Sequence, residues 1–184
     1  MDREAAALAI DAFLRALGRD PAREPELVGT AARVAAAYAD ELLCGYRVDG
    51  DELLANSVFA GSSEIVVIRD APVTTTCPHH LMPSQGVATV AFAPQEHLIG
   101  VGTVVRLVDA FARRLALQEQ IGERVVALLQ KHLSPRWVAC RLVLVHACMT
   151  ARGERAHGAR VETLALAGGD VDPLVVQAVL GGRG

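Results

Sequence analysis

The feature that most restricts the fold is a set of five potential metal ligands split between two distant stretches of the chain. Cys77, His79 and His80 lie in the first stretch, and His146 and Cys148 lie in the second. Two thiols and three imidazoles are enough to hold one zinc ion and to leave ring nitrogens for proton transfer. A fold that uses them must bring both stretches to one place.

The second stretch is predicted to be a strand. Residues 137–149, WVACRLVLVHACM, form the strongest strand pattern in the sequence. Side chains two residues apart share one face of a strand. His146 and Cys148 are therefore expected side by side at the far end of this strand.

The first stretch is predicted to be a rigid loop. Pro78 disfavours helical backbone at Cys77. Pro83 and Gly86 are turn-forming residues and are expected to close the loop a few residues later.

Cys77, His80 and Cys148 are the predicted metal ligands. Cys77 and His80 are three residues apart and can bind one ion, while His79 between them is expected to point elsewhere. With Cys148 they form a Cys₂His set that leaves a fourth position open to water, as in catalytic zinc sites. Taken alone, Cys148 would be interpreted as a buried core thiol, and the two histidines as part of a surface loop.

Composition narrows the kind of partner and the compartment. The net charge is −3 and the arginines are scattered, so no basic surface for nucleic acid or a membrane is predicted and the expected partner is a small molecule. The acidic N-terminus is unlike a signal peptide. The four cysteines then indicate a reducing cytoplasm, with Cys44 and Cys140 assigned to packing. Abundant small aliphatic residues predict a homo-oligomer.

Hydrophobic periodicity predicts an α+β fold. Helices are expected over 2–17, 30–43, 103–132 with a break allowed near Leu115, and 172–180. Strands are expected over 64–69, 86–92, 97–101, 137–149 and 160–167. This order predicts an antiparallel sheet covered on one face. It also predicts an N-terminal helical hairpin with its connection over 1–58 and a sheet domain over 59–184.

Four motifs in order resemble the GTP cyclohydrolase I family. They are TTTCPHHLMPSQGVATVAFAP, LIGVGTVVR, RRLALQEQI and HACMTARG. The resemblance implies the T-fold, an antiparallel four-stranded sheet covered by two helices. It also implies a toroidal homo-oligomer, such as a decamer, with active sites at the subunit interfaces.

The resemblance assigns roles to individual residues. The zinc ligands of the family match Cys77, His80 and Cys148, and its two proton-handling histidines match His79 and His146. Zn²⁺ is thus the implied cofactor.

A carboxylate of the family reads the guanine edge of the substrate. It matches Glu119, with Gln118 beside it. An anionic acceptor suits the N1–H and 2-amino donors of guanine; without the resemblance, Glu119 would be taken for a solvated helix residue. The implied reaction is hydrolytic opening of the imidazole ring at C8 of GTP with formate release, giving 7,8-dihydroneopterin triphosphate in pteridine biosynthesis.

The triphosphate-binding residues depart from the family pattern. Residues 100–103 read Gly-Val-Gly-Thr where the family has Gly-Leu-Ser-Lys, so Val101 and Gly102 stand at two substrate-binding positions. Residues 30–36 lack a second lysine of the family. Three arginines of the phosphate site remain, Arg33, Arg106 and Arg152.

These departures predict weaker triphosphate binding. A hydrogen bond to a charged group contributes roughly 1.5 to 3 kcal/mol, so two lost lysines remove about 3 to 6 kcal/mol, on the order of 10² to 10⁴ in affinity. Gly102 also lacks the hydroxyl that meets the ribose, and Pro78 replaces a Glu. The alternative substrate is a guanine-type base, nucleoside or monophosphate, opened without the ribose rearrangement.

Two further alternatives have a different chemistry. A non-catalytic, zinc-containing T-fold protein could bind a purine or pterin, but a closed structural site needs neither His79 nor His146. A nitrile reductase of the same fold would use its cysteine as a nucleophile rather than beside a second metal-binding cysteine, and the sequence carries no nicotinamide-binding signature.

Overall fold

The chain divides into two compact units. The computed structural model describes residues 1–55, 58–59, 64–169 and 171–181. The units are Met1–Cys44 and Gly45–Gly184. The domain boundary predicted between residues 58 and 59 lies beside positions outside the described residues and stays a prediction.

The first unit is a pair of packed helices. Helix α1 spans Arg3–Ala16, and the side chain of Asp2 caps it by accepting a hydrogen bond from Ala5 N at 2.9 Å. Helix α2 spans Thr30–Ala36 and continues as a π-helical segment over Ala37–Leu42. Both helices lie where the periodicity predicts them.

The second unit is built on a four-stranded antiparallel sheet. In their order across the sheet, its strands are β2 Val66–Thr76, β3 Pro83–Ala93, β5 Trp137–His146 and β6 Val161–Gly168. Two short strands, β1 Val58–Phe59 and β4 His97–Leu98, pair separately. The helices are α3 Gly50–Leu54, α4 Val101–Ala112, α5 Gln118–Leu133, α6 Ala147–Thr150 and α7 Pro173–Leu180.

The main core lies between the sheet and helices α4 and α5. Its largest fully buried side chains include Phe92 of β3, Leu107 of α4, and Ile121 of α5. Gly122 allows α5 to lie close to the sheet, because a Cβ there would stand 3.2 Å from Cβ of Ala165. The predicted break in the long helical stretch is confirmed between residues 112 and 118.

The second face of the sheet is also partly covered. Leu180 of α7 is buried in a smaller cluster with Ala91, Ala93, Trp137 and Ala139. The three alanines leave room for a helix on this face. The prediction of a sheet covered on one face is therefore incomplete, because periodicity does not reveal where a short terminal helix packs.

No helix of the described residues combines the length and the apolar character that a membrane crossing requires. A cytoplasmic location stays a prediction.

Candidate metal centre

The loop that carries Cys77 is the tight turn between β2 and β3. Leu81 N donates to Cys77 O at 2.9 Å, and Cys77 N donates to Met82 O at 2.9 Å. Leu81 adopts a positive φ of 53° within this turn. The backbone thus presents the side chains of residues 77–80 at the end of the hairpin.

The sequence predicts that Pro83 and Gly86 close this turn. In the structure both residues lie in β3 instead. Gly86 pairs with Leu144 of β5. A Cβ at Gly86 would stand 2.0 Å from the carbonyl oxygen of Val143. The glycine is therefore required by a close strand-to-strand approach rather than by a turn.

The strand prediction for residues 137–149 is wrong at its end. Strand β5 stops at His146, which pairs with Ser84 near the start of β3, and residues 147–150 form the short helix α6. The partner strand β3 begins at Pro83, next to Ser84, so the pairing of β3 with β5 does not continue beyond His146. A helical turn, and not strand alternation, therefore places Cys148.

Three donors nevertheless converge. The ligand atoms of Cys77, His80 and Cys148 all lie within 4.8 Å of one another, and Sγ of Cys77 is 3.7 Å from Nδ1 of His80. Both cysteines are partly buried and His80 is exposed. Two sulfurs and one imidazole nitrogen are a donor set that suits a zinc ion.

The cysteines differ in their burial and in the charged groups near their thiols. Burial raises the pKa of Cys148; the charge of Cys77 acts in the same direction, and the positive charge of Arg152 opposes it. Cys140 lies in the core, where burial raises the pKa of its thiol to about 12. Cys44 belongs to the other unit and donates to Glu41 O at 3.2 Å.

His79 lies beside the three donors. The sequence predicts that it points elsewhere, yet its Nδ1 is 3.9 Å from Sγ of Cys77. Its ring is exposed and stands edge to face against His80, with centroids 6.2 Å apart. The mutually close donor group does not include it.

His146 is bonded at both ring nitrogens. Its Nδ1 lies 3.0 Å from Oγ of Ser84, and its Nε2 lies 2.8 Å from Oε1 of Gln118. Burial lowers the pKa of His146, and the negative charge of Glu119 opposes that shift. Sequence reasoning missed Ser84, since only the register of β3 with β5 places it opposite His146.

Gln118 and Glu119 begin helix α5 but face different surroundings. Gln118 is 3% exposed, and its amide is engaged within the fold. Glu119 is exposed and lines a cavity of about 530 Å³ between α5 and β6. Of the two, Glu119 is the side chain open to a ligand.

The three predicted phosphate-binding arginines are exposed. Arg106 donates to Oγ1 of Thr103 at 3.0 Å. Arg33, in the first unit, donates to Val28 O and to Oγ1 of Thr30, both at 2.9 Å. Arg152 lies close enough to Cys148 to influence its pKa.

Val101 and Gly102 open helix α4, and both are exposed. Among the described residues, no atom outside the immediate backbone lies within 4 Å of the position that a Cβ on Gly102 would occupy. A larger side chain would have room at this position.

The chain is similar to known proteins of one family. The family model for GTP cyclohydrolase I matches residues 6–174. GTP cyclohydrolase 1 of Allorhizobium ampelinum is 38% identical over 168 residues, which cover 90% of this chain and 83% of that protein. GTP cyclohydrolase 1 of Leptospira biflexa is 36% identical over 160 residues, covering 86% of each. The crystal structure of the archaeosine synthase QueF-Like in the apo form aligns with 60% of this chain at 17% identity and a TM-score of 0.47.

The match to the family model, the two GTP cyclohydrolase 1 relatives and the antiparallel sheet with its helices define a T-fold hydrolase that acts on cyclic amidine C–N bonds. The chain belongs to the GTP cyclohydrolase I family.

Proposed function

We propose that this protein is a zinc-dependent cyclohydrolase that opens the imidazole ring of a guanine-type purine at C8 and releases formate. The observation that carries the proposal is the convergence of Cys77, His80 and Cys148 in a chain of this family, with His146 two residues before Cys148. GTP is the substrate that the relatives' names give for them.

Cys77, His80 and Cys148 would hold the zinc ion. When bound in such a site, zinc lowers the pKa of a coordinated water to about 7, which supplies hydroxide near neutral pH. The sulfur donors come from two different segments of the chain. Zinc binding would therefore also tie the β2–β3 turn to α6.

His79 and His146 would donate and accept protons during ring opening. Nδ1 of His79 faces the sulfur of Cys77, and the residue is exposed to solvent. His146 is already bonded at both nitrogens. It can act on a substrate only when one of these bonds is exchanged for a bond to that substrate.

Glu119 would recognise the guanine edge. Its carboxylate is exposed at the start of α5 and lies close enough to His146 to influence the pKa of that ring. A carboxylate accepts the N1–H and the 2-amino hydrogens of guanine in a charge-assisted pair. The base would thus be held near the histidine and the metal ligands.

We infer that the substrate carries fewer phosphates than GTP. The two lysines of the family phosphate site are absent, and the guanidinium groups of Arg33 and Arg106 donate hydrogen bonds to residues close to them in the chain. At roughly 1.5 to 3 kcal/mol for each lost charged hydrogen bond, binding of a triphosphate is weakened by about 3 to 6 kcal/mol.

A substrate panel tests this inference. Zinc-loaded protein is incubated with GTP, GMP, guanosine and guanine, and products are followed by mass spectrometry. We expect kcat/KM for a smaller purine to equal or exceed that for GTP, with a ring-opened product that keeps its ribose unrearranged. Efficient turnover of GTP alone to 7,8-dihydroneopterin triphosphate would contradict the inference while supporting the cyclohydrolase activity.

We also propose a toroidal homo-oligomer, such as a decamer, with its sites at subunit interfaces. Strand β6 is an edge of the sheet, and its Leu164 and Leu166 are 51% and 50% exposed. An exposed apolar edge strand favours pairing with another copy. Light scattering of the purified protein should give the mass of a multimer, whereas a monomer at micromolar concentration would contradict this proposal.

A further inference from the structure

The amide of Gln118 has a fixed orientation. Its Nε2 lies 3.1 Å from Leu142 O, 3.0 Å from Val161 O and 3.1 Å from Oγ1 of Thr163. A backbone carbonyl oxygen can only accept a hydrogen bond. The atom that faces two carbonyls must therefore be the amide nitrogen, and the amide oxygen must face His146.

This orientation determines the tautomer of His146. Oε1 of Gln118 can only accept, so Nε2 of His146 must carry the hydrogen that lies between them over 2.8 Å. In the neutral ring Nδ1 then has a lone pair. The hydroxyl of Ser84, 3.0 Å away, is the donor that meets it.

We propose that Ser84 is a positioning residue for His146, and that with Gln118 it holds the ring as the Nε2–H tautomer with Nδ1 as the exchangeable contact. Two backbone carbonyl oxygens fix the Gln118 amide, whereas the Ser84 hydroxyl rotates about a single bond. Nδ1 is therefore the nitrogen that can change partner. The role of this contact in turnover rests on the proposed cyclohydrolase function; the tautomer does not.

The fold supports this role for Ser84. Its side chain is 1% exposed, so water does not compete for the hydroxyl. It stands directly opposite His146 in the pairing of β3 with β5. Two strands, rather than a loop, thus fix the distance between the two side chains.

Nitrogen NMR of the zinc-loaded protein labelled with ¹⁵N-histidine tests the tautomer. At pH 8 a histidine with an ordinary pKa of about 6.5 is neutral, and the signals of residue 146 are identified by their loss in His146→Asn. We expect a protonated Nε2 and an unprotonated, hydrogen-bonded Nδ1. In Ser84→Ala the Nδ1 signal should move to that of a lone pair without a donor, while Nε2 stays protonated.

Kinetics test the positioning role. Ser84→Ala should lower kcat by about tenfold, the value of one hydrogen bond, and leave KM within about twofold. Ser84→Thr keeps a hydroxyl and should restore both the Nδ1 signal and kcat. The matched control is Thr75→Val, which removes another buried hydroxyl, directly across from Ser84 on β2. This replacement should change neither the Nδ1 signal of His146 nor kcat.

Two results would overturn the proposal. One is a wild-type ring protonated at Nδ1, and the other is a Ser84→Ala spectrum identical to the wild-type spectrum. If the wild-type protein opens no purine, the proposed function fails, and the nitrogen spectra still decide whether Ser84 and Gln118 hold the ring.

Discussion

Replacing Cys148 with serine should remove the bound zinc and lower turnover by about a thousandfold. A serine hydroxyl stays protonated at neutral pH and is a poor zinc ligand, which leaves only Cys77 and His80 of the converging donors. Metal-ion catalysis is worth several kcal/mol, and about 4 kcal/mol corresponds to about 10³ in rate. Zinc content after dialysis and kcat/KM on the best purine of the panel are the two measurements.

The matched control for this replacement is Cys44→Ser. It makes the same chemical change at a thiol of the other unit, which donates to a backbone carbonyl and lies outside the donor group. Zinc content and turnover should stay at wild-type values in the control. A Cys148→Ser protein that keeps one tightly bound zinc per chain would show that Cys148 is not a ligand.

Replacing His146 with alanine should lower the turnover rate by about a hundredfold or more without loss of zinc. The ring is not one of the three mutually close donors, so the metal should remain. A positioned general acid or base contributes about 10² to 10⁴ in rate. Metal analysis and single-turnover kinetics separate the two effects.

His157→Ala is the control for this second change. His157 is an exposed residue of the segment between α6 and β6 and has no part in the proposed site. Equal turnover of the wild-type and His146→Ala proteins would exclude a catalytic role for this ring. Purine binding with no turnover in either protein would favour a non-catalytic binding protein.

The convergence of the metal donors could be predicted from the sequence, but the route by which Cys148 arrives could not. Residue types and motif order are visible in the sequence, and they group Cys77, His80 and Cys148, whose ligand atoms lie within 4.8 Å of one another in the structure. Strand alternation could not show that β5 ends at His146. The end of β5 depends on where its partner strand β3 begins, at Pro83, and this is a property of the folded sheet.

The hydrogen-bond partners of His146 could not be predicted from the sequence for the same reason. Ser84 and Gln118 lie 62 and 28 residues away in the chain, on a different strand and on a helix. Their contacts depend on strand register and on how deeply α5 sits against the sheet. The sequence marked Gln118 only as a neighbour of Glu119, and the structure shows its amide directed into the protein.

Gly86 has a consequence for how this chain can vary. It sits two residues from Ser84 on β3, at a point where even a methyl group would strike the backbone of β5. A side chain there would push the two strands apart and carry the serine hydroxyl away from the imidazole. Evolution can therefore replace the exposed arginines at little structural cost, whereas position 86, between β3 and β5, has room only for glycine.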